Sequence, residues 1–217
     1  MNIALIIARS GSTRIKNKNI KNFYGKPIIY YPIKTLLKSS IFKKIYVSTD
    51  SRKIATIAKK YKALVPFLRS KSLANNQTST IKVIKNFIKE LKISNKVNIC
   101  CVYPATPLMT VSILKRAAKE FLLKKNNFLV PIQKAKSCEE NIFKLNKKKQ
   151  ISKSSKSRYF FKDTGQFYFG NVKTFLKMKS ILFSGSTQTM VISKKSALDV
   201  NTVEDWKLLK KMFKNKK

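Results

Sequence analysis

Short apolar runs alternate with longer segments of helical period along most of the chain, and this rhythm limits the fold more than any other feature. The runs Ile3 to Ala8, Lys44 to Ser48, Ala63 to Phe67, Val97 to Tyr103, Asn127 to Ile132, Gln166 to Phe169 and Thr189 to Ile192 have strand length. Strands apolar on both faces must be covered on both sides, so the pattern predicts an α/β fold with a mostly parallel, doubly wound sheet. The helices are predicted at Pro27 to Ser39, Ser51 to Tyr61, Thr78 to Leu91, Thr110 to Lys124 and Thr202 to Phe213. Pro27 suits a first helical turn, and Asp50 is expected to cap the second helix. The last helix opens with Thr202-Val203-Glu204-Asp205, a capping-box-like start, and carries the core stripe Trp206, Leu208, Leu209, Met212 and Phe213.

A chain of 217 residues is within the size that one core can serve, so residues 1–217 are predicted to form a single domain. From Gln133 to Asp163 the rhythm gives way to a stretch rich in lysine, serine and asparagine, which predicts an insertion on the sheet edge over residues 133–165. The terminal residues from Lys214 to Lys217 are expected to fray.

Composition removes several function classes. Histidine is absent, which excludes Ser-His hydrolysis, histidine-ligated zinc and an imidazole base. Cys100 and Cys101 are adjacent and Cys138 stands alone, so neither a disulfide framework nor a metal-ligand spacing exists, and a reducing compartment is expected. The apolar start is far shorter than a membrane span and has no basic leader, which predicts a buried strand in a cytoplasmic protein without a membrane partner. The net charge of +39 raises the question of a nucleic-acid partner. Only six of the 48 basic residues are arginine, and the lysines are dispersed over helix surfaces, so no specific nucleic-acid site is predicted.

In open α/β sheets ligands bind beyond the carboxyl ends of the strands, which directs attention to the loop after the first strand. That loop runs Ala8-Arg9-Ser10-Gly11-Ser12-Thr13-Arg14-Ile15-Lys16-Asn17-Lys18-Asn19 and matches neither a dinucleotide fingerprint nor a P-loop. Backbone N–H groups around Gly11 and Ser12 can nest phosphate oxygens, while Arg9 and Lys18 can neutralise a triphosphate and its departing pyrophosphate.

The segment Ile7 to Asn19 resembles the opening motif of the acylneuraminate cytidylyltransferases, and the resemblance continues in order along the chain. Gly25-Lys26-Pro27-Ile28, Val47-Ser48-Thr49-Asp50, Val65-Pro66-Phe67-Leu68-Arg69, Leu73-Ala74 and Thr78-Ser79-Thr80 carry it. Pro66-Phe67-Leu68-Arg69, Tyr103-Pro104-Ala105-Thr106-Pro107 and Gly165-Gln166-Phe167-Tyr168-Phe169-Gly170 are similar to the branch of that family acting on pseudaminic acid. The resemblance implies a Rossmann-like nucleotidyltransferase fold that transfers CMP from CTP to an acidic nonulosonic sugar, with Mg²⁺ as cofactor and a homodimer formed through the 133–165 segment. It implies Arg9, Lys18 and Asp199 as catalytic residues. Ala8, Arg9, Gly11, Ser12, Lys18, Asn19, Arg69 and Thr80 would surround the nucleotide, and Tyr103, Gln166 and Tyr168 the sugar. Asp199 and Asn201 would hold the metal. N-acetylneuraminic, legionaminic and Kdo acids remain alternative substrates.

The chain departs from the family pattern at Thr13, where lysine is common, at Asn75-Asn76, where carboxylates are frequent, and at Asn201, where a second aspartate is usual. Arg14 or Lys16 can compensate for Thr13, and loss of charge at Asn201 is expected to weaken Mg²⁺ binding unless phosphate oxygens supply most ligands. Thr13 and Asn201 also support an alternative of another class, a polyanion-binding protein that kept the fold and lost catalysis.

Overall fold

The computed structural model describes residues 2–123, 128–152, 157–184 and 187–215. Its elements are β1 (Asn2–Ile7), β2 (Asn22–Phe23), β3 (Lys26–Pro27), α1 (Tyr30–Ser39), β4 (Lys44–Ser48), α2 (Arg52–Lys60), α3 (Thr80–Glu90), β5 (Asn98–Val102) and α4 (Val111–Leu123). There follow β6 (Phe128–Ala135), β7 (Ile142–Leu145), β8 (Ile151–Ser152), β9 (Phe160–Asp163), β10 (Phe167–Asn171), α5 (Val172–Lys177), β11 (Thr187–Val191) and α6 (Val203–Lys214).

The expected doubly wound sheet is present. β1 lies between β4 and β5 with parallel pairing on both sides, and β11 runs parallel to β6. β10 enters antiparallel between β5 and β6, so β4, β1, β5, β6 and β11 share one direction. Side chains alternate between two cores, as a period of two requires. Ala4 and Ile6 of β1 face α1, α2 and α4, whereas Ile3 and Leu5 face α3 and α5. β5 and β10 alternate in the same way, with Val102 and Phe169 on the first side and Cys101 and Tyr168 on the second.

Several boundaries differ from the sequence expectation for local reasons. Pro27 belongs to a small hairpin, not to α1. Tyr24 (φ 48°) and Gly25 (φ 79°) form its two-residue turn, and both positive angles match the twist of the flanking strands. Ala63 to Phe67 forms only an isolated bridge to β4 through Leu64, because Pro66 has no N–H with which to extend a ladder. Ser51, not Asp50, caps α2 through its side chain to the Ile54 N–H at 3.3 Å, which releases Asp50 for other contacts. Asn127, Lys124, Lys216 and Lys217 lie outside the described residues.

The capping box of α6 is formed. Thr202 accepts from the Asp205 N–H at 3.1 Å, and Asp205 accepts from the N–H groups of Thr202 and Asn201, each at 2.8 Å. The stripe of α6 then docks Trp206 and Leu209 onto Phe23 and Ile28 of the hairpin region, with Trp206 edge-on to Phe23 at 5.5 Å. This docking fixes the segment before α6, which lines the cleft described below.

Two partners share one side of β6. Phe128 and Leu129 pair with β10 as well as β11, and Ile132 pairs with β9 as well as β11. The chain therefore bends between β9 and β10, where Thr164 bonds the Pro131 carbonyl through both its N–H and its hydroxyl, at 3.3 and 2.9 Å. Gly165 takes φ 59° at this bend, a conformation that costs other residues free energy. β7, β8 and β9 extend the sheet at that end, within the stretch expected from sequence to be an edge insertion.

Candidate active site

A cleft of about 630 Å³ opens at the carboxyl ends of β1 and β5, where open α/β sheets place ligands. Arg9, Ser12, Lys18 and Asn19 line it from the first loop, Arg69 and Thr80 from the approach to α3, and Tyr103 from the end of β5. Tyr168, Asp199 and Asn201 complete the set of expected residues that reach it.

The first loop is built around Asn19, which is 5% exposed and donates from Nδ2 to the Arg9 carbonyl at 2.8 Å. Lys18 reaches across the cleft and donates from Nζ to the Val200 carbonyl at 2.6 Å. Burial lowers the pKa of Lys18, an effect that the nearby Asp199 opposes. The Arg9 guanidinium donates to Oδ1 of Asn76, which joins the loop to the α3 approach. Asp50 accepts from the Ser10 N–H at 2.9 Å and from the Ser10 hydroxyl, so the residue expected as a helix cap steadies the first loop instead.

Arg69 is 5% exposed, stands 4.0 Å from Asp50, and has an Nε with no hydrogen-bond partner. Its burial lowers its pKa while Asp50 works the other way. A buried donor without an acceptor is costly and marks a position where a ligand can repay the loss. Thr80 and Tyr103 share a hydroxyl-hydroxyl bond of 2.6 Å beside it.

The opposite wall carries a carboxylate that the sequence reading missed. Asp163, at the end of β9, lines the cleft, accepts from the Gly165 N–H at 3.1 Å and accepts from the Tyr168 hydroxyl. Desolvation raises its pKa to about 6, against the opposing effect of both hydrogen bonds, and Asp199 adds to the rise. The rings of Tyr103 and Tyr168 meet edge to face at 5.7 Å, and burial raises both phenolic pKa values. Only the bend at Thr164-Gly165 brings Asp163 here, and no local motif announces it.

Three expected residues stand apart from the cleft surface. Ala8 is fully buried in the core and bonds the Ser48 carbonyl at 2.9 Å through its N–H, so it seats the loop without facing the ligand space. Gly11 lies at the exposed outer part of the loop, where a Cβ would meet nothing within 4 Å. Gln166 is 1% exposed and donates to the Ser196 carbonyl at 2.7 Å, which ties β10 to the segment leading to Asp199. It is not among the residues that line the cleft, and its Oε1 is buried without a hydrogen-bond partner.

The donor set suits a hard cation completed by substrate oxygens. Among the described residues no three His, Cys, Asp or Glu side chains gather into a metal cluster. Asp199 offers a carboxylate on the cleft wall, and Mg²⁺ is commonly held by one or two carboxylates together with phosphates and water. Asn201, expected as a second ligand, accepts at Oδ1 from Arg14 Nη2 at 3.0 Å and donates from Nδ2 to Asp199 Oδ2 at 2.8 Å. Its one side-chain oxygen thus faces the Arg14 guanidinium, while Asn201 and Asp199 both line the cleft.

The chain is similar to known proteins in sequence and in fold. A family model described as cytidylyltransferase matches residues 3–206. The chain is 34% identical to the pseudaminic acid cytidylyltransferase of Campylobacter jejuni, over 98% of this chain and 96% of that protein. It is 26% identical to the CMP-N,N'-diacetyllegionaminic acid synthase of Legionella pneumophila, over 97% of this chain and 95% of the relative. The solved structure of a CMP:2-keto-3-deoxy-manno-octonic acid synthetase complexed with CTP superposes with a TM-score of 0.79 at 12% identity, covering 100% of this chain and 99% of the other.

Proposed function

Because the chain belongs to the cytidylyltransferase family, we infer that it transfers CMP from CTP to the anomeric hydroxyl of a nine-carbon acidic sugar, pseudaminic acid. The observation that carries this reading is the convergence, in one cleft, of the cations Arg9 and Lys18, the carboxylate Asp199 and the phenols Tyr103 and Tyr168. The 34% identity to a pseudaminic acid cytidylyltransferase over nearly the full length supports the choice of sugar.

In the reaction the sugar oxygen bonds to the α-phosphorus while the bond to the β-phosphate oxygen breaks. The electron pair leaves with pyrophosphate and the hydroxyl proton is released to solvent. The chain's work is positioning and charge neutralisation, so a protein without histidine can perform it. Arg9 and Lys18 bind the triphosphate and stabilise charge as it moves to the leaving group. Arg69 and Thr80 hold the nucleoside end, where the free Nε of Arg69 can meet a nucleotide acceptor. Tyr103 and Tyr168 orient the sugar, with Asp163 fixing the Tyr168 hydroxyl. Mg²⁺ held by Asp199 would supply further neutralisation at the phosphates.

On the same reading the enzyme is cytoplasmic and two copies pair through residues 133–165. A single-copy mass in solution at micromolar protein would remove the pairing. The activity is tested by pyrophosphate release from CTP with Mg²⁺, using pseudaminic, legionaminic, N-acetylneuraminic and Kdo acids in separate reactions. Release with pseudaminic acid alone is expected. Release with another acid only would reassign the sugar, and no release with any acid from folded protein would overturn the reading.

A further inference from the structure

Three consecutive residues at and just beyond the carboxyl end of β4 hold two separate parts of the cleft, the first loop and Arg69. The Ser48 carbonyl accepts from the Ala8 N–H at 2.9 Å, where the loop begins, and the Thr49 carbonyl accepts from the Arg69 N–H at 2.8 Å. The Asp50 carboxylate then joins the two. Its Oδ1 accepts from the Ser10 N–H at 2.9 Å and its Oδ2 from the Ser10 hydroxyl, while the same Oδ1 stands 4.0 Å from Nη2 of Arg69.

This carboxylate sits where two like charges need it. Asp50 raises the pKa of Arg69 and Arg9 lowers it, so the two arginines and the aspartate act on one another. The side chains of Asp50 and Arg69 are 10% and 3% exposed, so solvent screens the pair little. Arg9 and Arg69 both line the cleft, whereas Asp50 and Ser10 do not. Asp50 therefore acts on a ligand only through the loop and the guanidinium that it holds. The start of α2 makes no competing demand on it, because Ser51 supplies the cap.

We propose that Asp50 is a positioning residue for nucleotide binding, which ties the loop that carries Arg9 to Arg69 and so sets the spacing between the two guanidinium groups that meet CTP. The proposal rests on the cytidylyltransferase reading of the cleft. On that reading Arg9 binds the triphosphate and Arg69 the nucleoside end, so the two groups grip different parts of one ligand. Holding them at a fixed separation before the ligand arrives lowers the ordering cost of binding. A carboxylate beside both cations also offsets their repulsion, which would otherwise spread them apart in the empty cleft.

The test measures CTP binding by calorimetry with Mg²⁺ and without sugar, together with steady-state kinetics in each substrate and denaturant unfolding. The proteins compared are the wild type, Asp50→Ala, Asp50→Asn and Ser51→Ala. Asp50→Ala is expected to weaken CTP binding by about tenfold or more, the scale of hydrogen bonds lost from a charged group, with the KM for sugar within about twofold of wild type. Asparagine keeps the tether, since its Oδ1 can accept from the Ser10 N–H and its Nδ2 can donate to the Ser10 Oγ, and it loses only the charge beside Arg69. Asp50→Asn should accordingly fall between the wild type and Asp50→Ala. Ser51→Ala removes the α2 cap one residue away, and should lower stability while CTP binding stays within about twofold of wild type.

CTP binding by Asp50→Ala within about twofold of wild type would overturn the proposal and leave the enzyme assignment standing. Equal rises in the KM for sugar and for CTP would overturn it as well, as would a loss of CTP affinity in Ser51→Ala as large as that in Asp50→Ala. Binding by Asp50→Asn as weak as that of Asp50→Ala would remove the loop tether, and binding equal to wild type would remove the action on Arg69. A folded wild type that neither binds CTP nor releases pyrophosphate would instead remove the cytidylyltransferase reading itself.

Discussion

Gly165 and Asp199 are in mutual contact across the cleft wall: a Cβ placed on Gly165 would stand 2.9 Å from Asp199 Cγ and 3.0 Å from Oδ1. The glycine also has φ 59°, so two independent constraints exclude a side chain at the point where β9 bends into β10. Gly165→Ala should destabilise the protein by about 1–3 kcal/mol from strain and crowding together. It should lower CTP turnover more than thermal stability alone would, because the displaced group is Asp199. Denaturant unfolding and a Mg²⁺ titration of turnover on the same variant check both parts, and an unchanged Mg²⁺ dependence would separate Asp199 from the metal.

Asp163 makes stability depend on pH in a direction opposite to that of a carboxylate in an ion pair. Its folded pKa is raised to about 6 from an ordinary 3.8, so the folded state holds a proton that the unfolded chain releases. The stabilisation is complete below about pH 4 and disappears as pH rises through about 6, a change on the order of 3 kcal/mol for two pKa units. Asp163→Asn should abolish this component. Denaturant unfolding of the two proteins at pH 4.5 and pH 7, without nucleotide or metal, should show a smaller decline for the variant.

The Tyr168 hydroxyl donates to Asp163 and its ring packs edge-on to Tyr103, on the cleft wall proposed to receive the sugar. Tyr168→Phe should raise the KM for the sugar by about tenfold, the worth of a lost hydrogen bond to a charged group, while leaving the KM for CTP near wild type. Steady-state kinetics with each substrate varied in turn decide the point. Equal changes in both constants would place Tyr168 in general packing.

The structural contact of Lys18 and its proposed role toward the triphosphate can be separated by measuring stability and turnover on the same variants. Its Nζ holds the Val200 carbonyl at 2.6 Å, and its charge is assigned to the triphosphate. Lys18→Ala should lower kcat/KM for CTP by about a hundredfold or more, on the scale of one transition-state donor, with a stability loss of about 1–2 kcal/mol from the unpaired buried carbonyl. Lys18→Met keeps much of the stem packing and should lose activity alike. Turnover retained in either variant would remove Lys18 from the chemistry.

Much of this architecture was legible in the sequence because it depends on local periodicity. The run Ile3 to Ala8 was expected to be a strand buried on both faces, and the structure divides the side chains of β1 (Asn2–Ile7) between the two cores as alternation requires. The start Thr202 to Asp205 announced its cap, and the loop after β1, singled out by its position, brings Arg9 and Lys18 to the cleft. What the periodicity could not reveal was set by strand order and by contacts between distant residues. Asp163 enters the cleft only because β6 pairs with β9 and β10 on one side and so forces a bend between them. Asp50 turned from helix cap to loop support because Ser51 met the same N–H need one residue later. Arg14 and Asn201, 187 residues apart, meet only because α6 docks on the β2–β3 hairpin. Sequence fixes which faces must be buried, since burial is a property of each short segment. The sheet's order and register decide which polar groups then converge, since that is a property of the whole chain.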